Sequence, residues 1–465
     1  MRYRGYFYVA LATTLNIILY ALTFGRYLWL EGRVRGGVFR NWGRRFRYRP
    51  NKFVQPTTEQ EIVVLLKSSS GVRFFGAGHS FNDGVVADGT LVSLDNYRGV
   101  VSKDIAQKQV TFKGGTRIRE IARLLLEDGL AFGALPSHDA QSIAGIISTD
   151  VHGTGRDWGF VSKWVVSFKL IDATGEIHVC KPSDDLFKAA IGGIGAVGII
   201  SEVVVQAVDR FNVEQKVELT NLSFVRENFD HIFQHNKHFS LYLFPFTERC
   251  QINTWNPTDK KKSFLGPLRE FLSISKDALL SAWFGAFMAN TGLLPKLSSF
   301  AYSFKRGTDL VMESNKAFNR TIYPLHQELE FTVPFEKTFE MCRRFIELYE
   351  KMYLEESLPY TLFEIRFTPA GHDRTLIGAG RERHSTWINL VCNDSTGFER
   401  YYAAAEELMK QVDARPHLGK FCQSFTIEDM TRLHQQHFVK FLQLVMEYDP
   451  DGKFANDLTR RIFRS

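Results

Sequence analysis

The stretch "RFFGAGHSFND", Arg73 to Asp83, sets three small residues, Gly76-Ala77-Gly78, between two phenylalanines and a single histidine, His79. Small residues let backbone N–H groups approach an anion closely, so the turn predicts a bound anion with an imidazole beside it. The flanks supply a frame for that turn. "EQEIVVLLKSS" upstream has helical apolar spacing, whereas "VRFFGAG", "TLVSLD" and "QVTFKGG" read as short strands. "RIREIARLLLEDGL" returns to helical spacing through Ile118, Ile121, Leu124 and Leu125. Strands in "VVSFKLIDATG" and "EIHVC", and a glycine-rich turn entering a β-branched strand in "AIGGIGAVGIISEVVVQAV", complete an α+β domain from Phe53 to Val208.

Glycine-containing loops recur through this domain: Gly76 to Gly78, Gly114-Gly115, "SIAGIISTDVHGTG" and Gly192 to Gly198. Repeated backbone approach to one extended, phosphate-bearing ligand accounts for them together. A Rossmann dinucleotide site fits poorly, because "GIGAVG" lies late in the domain and precedes a strand, while that fingerprint follows the first strand and opens a helix. From about Asp209 the composition shifts to long aromatic-rich segments such as "FSLYLFPF" and "FEKTFEMCRRFIELYEKMY", which predict a second domain with its own core. In "TLFEIRF" the strand period puts Glu364 and Arg366 on one face and Phe363, Ile365 and Phe367 on the other. Opposite charges on an apolar strand cost desolvation energy unless they pair or meet a ligand, so these two are an exposed ion pair or part of a site.

The N-terminus has another character. Tyr6 to Phe24 runs nineteen residues without a charge, and Tyr27 to Leu30 extends it, enough to cross a hydrocarbon core of about 30 Å. A signal peptide is the competing reading, but no Ala-x-Ala site follows and an arginine-rich segment comes next like a stop-transfer signal. Eight arginines from Arg26 to Arg49 follow the run and only Arg2 and Arg4 precede it, so a single-pass anchor would leave the body in the cytoplasm. The chain's net charge of +7 is concentrated there. The first fifty residues hold ten arginines against Glu31, leaving the remainder slightly acidic, which argues against a nucleic-acid partner. "LLSAWFGAFMANTGLLPKL", Leu279 to Leu297, is too short to span reliably and reads as a buried helix pair or as a membrane-interface piece. Five scattered cysteines without a Cys-x-x-Cys pair fit a reducing compartment and indicate neither a disulfide framework nor a zinc site. Thirteen histidines without compact metal spacing give no reason to expect a metal.

Taken in order and spacing, "NWGR", "YRPNKFVQPTTEQEI", "FFGAGHSFND", "LPSHDAQSIAGIISTDVHGTG" and "GIGAVGIISEV" resemble the FAD domain of the vanillyl-alcohol oxidase type, in particular its aldonolactone and alditol oxidase branch. "FEIRF" and "RPHLGK" carry the resemblance from about Asn41 to the C-terminus. It implies an α+β architecture: a two-part FAD-binding domain at 41–208, an α+β substrate (cap) domain at 209–414 and a C-terminal segment at 415–465 closing the flavin site, behind a transmembrane anchor at 6–30. In that branch the Gly-x-Gly-His loop wraps the FAD pyrophosphate and its histidine is bonded to the flavin 8-methyl carbon, which implies covalent FAD at His79. A neutral imidazole can add there, and the linkage raises the flavin's potential for taking hydride. The other implied cofactor contacts are Phe75, Gly76, Ala77, Gly78 and Ser80 at the pyrophosphate, and Ser142, Ile143, Ala144, Gly145 and Ser148 along the isoalloxazine edge and ribityl chain. Gly153, Gly155, Gly195 and Ile200 would surround the rest, while His138 and His152 lie in these loops without the flavin-linking role.

The same resemblance implies that Glu364 and Arg366 point at substrate hydroxyls beside flavin N5, and that Lys420 lies near flavin N1. Leu418 stands where the family's Pro-His-Trp-Gly-Lys motif has tryptophan, a departure that bears on substrate packing, and His417 would orient the loop. The implied reaction is hydride transfer from a CH–OH carbon of a sugar lactone or polyol to the flavin. Arg366 and Lys420 would polarise the oxygen, and Glu364 would orient hydroxyls or help remove the proton. Pro136 occupies a position where a small residue or proline goes with oxygen access and alanine with dehydrogenase behaviour, which implies dioxygen as acceptor. Two other readings stay open. One is a membrane-bound FAD dehydrogenase of a lipid-linked sugar using a quinone, although the resembling polyprenyl-phosphoribose oxidases lack the loop histidine. The other is a non-catalytic flavin-fold module binding a glycolipid or partner, which the joint presence of Glu364, Arg366 and Lys420 disfavours.

Overall fold

The computed structural model describes residues 31–464 apart from 158, 267, 274, 277–278, 280–291, 297, 299–306, 319–321, 357, 371 and 394–396, together with residues 14, 17–23 and 27–29. On the cofactor side, Lys52–Val54, Thr90–Ser93 and Val72–Phe75 lie parallel in that order. The helix Glu59–Ser68 crosses between the two outer strands, capped by Thr58 Oγ1 accepting the Glu61 N–H and burying Ile62, Val63, Leu65 and Leu66. A second, antiparallel sheet runs Ile177–Cys180, Val165–Ile171, Ile199–Gln206, Gln109–Lys113, Val100–Asp104. The helix Ile118–Glu127 turns Ile118, Ile121 and Leu125 into the core, as its periodicity requires. The "GIGAVG" turn enters the strand Ile199–Gln206 rather than a helix, with Gly192, Gly195 and Gly198 all at positive φ.

The substrate side is one antiparallel sheet, ordered Thr308–Glu313, Asn212–Asn221, Arg249–Thr258, His238–Leu243, Thr361–Thr368, Ser385–Asn393, His326–Pro334, Arg415–Pro416. Phe363, Ile365 and Phe367 are fully buried on the inner face of Thr361–Thr368, each burial contributing about 1.5–3 kcal/mol, and this holds the strand in the register that brings Glu364 and Arg366 to the opposite face. The helix Thr338–Glu355 packs Met341, Phe345, Tyr349 and Tyr353 inward. A 3-10 turn, Phe335–Lys337, leads into it.

After Arg415–Pro416 the chain returns to the cofactor side, where Lys453 O accepts the Val72 N–H at 2.8 Å. Arg73, buried at the root of the glycine turn, ties this return to two other segments. It donates to Gly84 O (2.7 Å), Phe454 O (2.8 Å) and Ile194 O (3.0 Å). The arginine-rich segment is also part of the fold. Arg33–Arg35, Val38–Arg40 and Arg47–Tyr48 form a small sheet, and Gly32 N–H donates to Ala77 O at 2.5 Å and Trp42 N–H to Gly78 O at 2.8 Å. The cofactor side therefore begins before Asn41. Most of the expected anchor at 6–30 and of Leu279 to Leu297 lies outside the described residues. Among the described residues no helix is long and apolar enough to cross a membrane. All five cysteines are buried thiols.

Candidate active site

The glycine turn, the helix Ile143–Ser148 and the Ile194–Ile199 turn line an open cleft. It continues into a middle chamber, sharing His79, Ser80, Gln141 and Thr149 with it. The middle chamber opens in turn on a third, under the cap strands, through Ser137 and Arg366. An elongated ligand in the first space would thus present one end to the cap.

The residues of the cleft suit an FAD. Gly76 packs so tightly that a Cβ there would fall on Ser142 Oγ, and Gly78 sits at φ +61° with Gly32 Cα 2.9 Å from where its Cβ would stand. His79 is buried with neither ring nitrogen hydrogen-bonded among the described residues, its ring edge-on to Trp42 (4.7 Å) and His138 (4.5 Å). Burial, with Lys420 and His326 nearby, holds its pKa well below the ordinary histidine value. A neutral imidazole with unused lone pair and N–H, facing the cleft, is placed to meet a bound group.

Beyond His79 the charges converge. Arg366 donates to Glu364 Oε2 at 2.6 Å, Tyr242 Oη donates to Glu364 Oε1 at 2.8 Å, and Asn389 Nδ2 lies 3.5 Å from Glu364 Oε2. Burial works against the Arg366 charge, yet Glu364 and Glu330 outweigh it and hold the guanidinium above its usual pKa. Lys420 touches Glu328 and lies 3.6 Å from Glu330 Oε2. Burial pulls the Lys420 ammonium down to about 7. Burial alone would raise Glu330, but His152, Arg366 and His417 outweigh it and bring it to about 2. His417 Nδ1 accepts the Gly419 N–H at 3.0 Å, which orders the turn carrying Lys420, and burial lowers His417 to about 4.

The D-arabinono-1,4-lactone oxidase family model matches residues 203–462, more than half of the chain, and the FAD binding domain model matches residues 50–181. The chain belongs to the D-arabinono-1,4-lactone oxidase family. Over 430 residues it is 27% identical to an L-gulono-1,4-lactone dehydrogenase of Mycobacterium tuberculosis, covering 91% of this chain and 99% of that protein. It is 26% identical over 454 residues to the L-gulonolactone oxidase of Bos taurus, covering 92% and 99%. A cholesterol oxidase from Brevibacterium sterolicum shares the fold at a TM-score of 0.76 and 16% identity, over 93% of this chain and 97% of that one.

Within this lactone oxidase chain, Phe75 through Ser80, Ser142, Ala144, Gly145, Ser148 and Gly195 line the cofactor cleft. Pro136 lines the middle chamber with Lys420, and Gly153 lines the cap chamber with Glu364, while Arg366 lines both. Three expected contacts are placed elsewhere and line none of the three spaces. Ile143 and Ile200 are core side chains, and the Ile143 N–H is spent on Thr116 O. Gly155 donates to Phe367 O at 2.9 Å and packs against His238, so its positive φ serves a turn. Sequence reasoning passed over Tyr242, Glu328, Glu330 and the Trp42 ring. Alternation in "HQELE" was the available signal, since a strand there puts His326, Glu328 and Glu330 on one face. His152, Glu330 and His417 bring one candidate ligand atom each within 4.8 Å of one another. With its Nδ1 used by Gly419, a neutral His417 carries its hydrogen on Nε2, so cation binding there would first require that proton to leave.

Gly78→Ala is expected to lower stability by about 1–3 kcal/mol, because a non-glycine residue is strained at this φ and its Cβ would press on Gly32. Thermal melting and the flavin-to-protein ratio should both fall. A variant matching the parent in both would mean that Gly32 and Gly78 do not pack this way.

Proposed function

We propose that the chain oxidises a CH–OH group of a sugar lactone at FAD bound along the cofactor cleft, with dioxygen as the final acceptor. The observation that carries this reading is the Arg366–Glu364 pair, buried where the middle chamber meets the cap chamber, in a chain of the lactone oxidase family. Bound FAD supplies the two-electron acceptor. Arg366 and Lys420 present cationic donors to the substrate oxygen and favour its deprotonated form. Glu364, braced by Tyr242, is left to accept hydrogen bonds from the lactone's remaining hydroxyls. Trp255 and Phe318 line the cap chamber with aromatic faces suited to a sugar ring. Pro136 in the middle chamber supports the choice of oxygen.

Oxygen consumption with D-arabinono-1,4-lactone, L-gulono-1,4-lactone and the corresponding polyols tests the reading. Lactone-dependent peroxide formation is expected, and turnover confined to a quinone or dye acceptor would reassign the acceptor. The covalent bond from His79 to the flavin belongs to this proposal, supported by the unpartnered, neutral ring facing the cleft.

The proposal also keeps a single-pass anchor with a cytoplasmic body, on the nineteen uncharged residues and the arginines that follow. Deleting residues 1–25 is expected to release a flavin-loaded body from membranes. Extending the cut through Arg35 removes the Gly32 contact with the cofactor turn and should lower flavin loading. A 1–25 deletion still sedimenting with carbonate-washed membranes would argue against a sole N-terminal anchor.

A further inference from the structure

His152 has no part in the reaction as described, although its side chain is almost completely buried and lines the middle chamber with Arg366 and Lys420. Its Nδ1 lies 2.8 Å from Gly153 O. A carbonyl oxygen only accepts, so Nδ1 bears a proton, while Nε2 carries a lone pair in the neutral ring and an N–H in the imidazolium. Nε2 faces Glu330 Oε1 at 3.3 Å, so an imidazolium here would pair with the carboxylate. With the ring neutral, two acceptors confront each other in a buried space, an arrangement that gains a hydrogen bond when one proton enters between them. The ring cannot turn away easily, because it stacks on Trp387 with 3.6 Å between centroids and 18° between planes.

Three other groups near the substrate chamber are engaged as they stand. Both Glu364 oxygens are engaged by Tyr242, Arg366 and Asn389. Glu328 is in contact with Lys420 and with His326 Nε2 at 2.9 Å. His417 offers an N–H rather than a lone pair at Nε2. The charged and titratable groups around the pair are Glu330 from His326–Pro334, Arg366 and Glu364 from Thr361–Thr368, and His417 and Lys420 from the C-terminal turn, with Asp150 and its partner His372 behind.

We infer that the His152–Glu330 pair, rather than Glu364, takes the hydroxyl proton of the lactone during oxidation. The inference rests on the proposed function. In the step, the C–H bond breaks with its electron pair leaving as hydride to the oxidised flavin, and the O–H proton passes to His152 Nε2 directly or through one water. The C=O bond forms, the carbon losing two electrons and the flavin gaining two. Glu330 stabilises the imidazolium so formed.

Anaerobic stopped-flow reduction of the full-length holoprotein by L-gulono-1,4-lactone, across pH and with a pH indicator in weak buffer, tests this. In the parent, reduction slows as pH falls through one ionisation, and the reduction phase releases no proton to solvent. His152→Gln is expected to reduce about 10²–10⁴-fold more slowly with lactone affinity within about twofold, to lose the acid limb, and to release one proton per flavin. Glu330→Gln should move the limb to lower pH, and Glu364→Gln should weaken lactone binding while keeping the limb. His152→Gln reducing at parental speed with the limb in place overturns the inference, as does a parent that releases one proton per flavin. If His152→Gln fails to load flavin, an unmoved limb in Glu330→Gln overturns it alone. A parent flavin that no sugar lactone reduces fails the functional reading instead, which separates the two.

Discussion

Arg366→Ala and Lys420→Ala are each expected to slow lactone reduction of the bound flavin by at least about 10²-fold while leaving the flavin in place, if each cation supplies an oxyanion-type interaction of about 2.7–4 kcal/mol. Neither side chain lines the cofactor cleft itself, and both line the middle chamber, so the loss should fall on reduction rather than on cofactor binding. Both variants should also lose stability. Removing Arg366 leaves Glu364 buried without its cation, and removing Lys420 does the same to Glu328. Breaking one partner of a buried pair costs about 3–5 kcal/mol, so melting temperatures must accompany the rates. Reduction at parental speed in both variants would place the chemistry elsewhere.

His79→Ala carries the second large effect, an all-or-none change in how flavin is held. The parent protein should keep its flavin through acid precipitation and show a fluorescent band at full length in a denaturing gel. The variant should release all of it. Loss of the imidazole also leaves a gap beside Trp42 and His138, so weaker non-covalent loading is expected as well. Complete release of flavin from the acid-treated parent would contradict the covalent bond.

Those effects depend on features that were unequally visible in the chain. The strand at "TLFEIRF" was legible because its period of two left no other way to bury Phe363, Ile365 and Phe367 together. The glycine turn was legible because only small residues tolerate its backbone approach. The pairing of Lys420 with Glu328 and Glu330 was not legible, since those residues lie about ninety positions apart and meet only because Arg415–Pro416 adds to the edge of the strand His326–Pro334. Gly32 and Trp42 were obscured by the arginines around them, which read as a stop-transfer signal. In the folded chain, strand residues Arg33, Arg35, Arg40 and Arg47 are exposed, while Phe39 and Trp42 turn inward against the cofactor turn. Ile143, Gly155 and Ile200, assigned through the family, line none of the three spaces, since a motif match gives a position in the chain but not which way its side chain faces.

An anaerobic titration of the purified, flavin-loaded protein with L-gulono-1,4-lactone and D-arabinono-1,4-lactone tests the central claim most directly. Saturable bleaching of the oxidised flavin band by at least one of these lactones, followed by recovery of the band when oxygen is admitted, is the expected result. A flavin that dithionite reduces fully but that neither lactone bleaches at saturating concentration would contradict it.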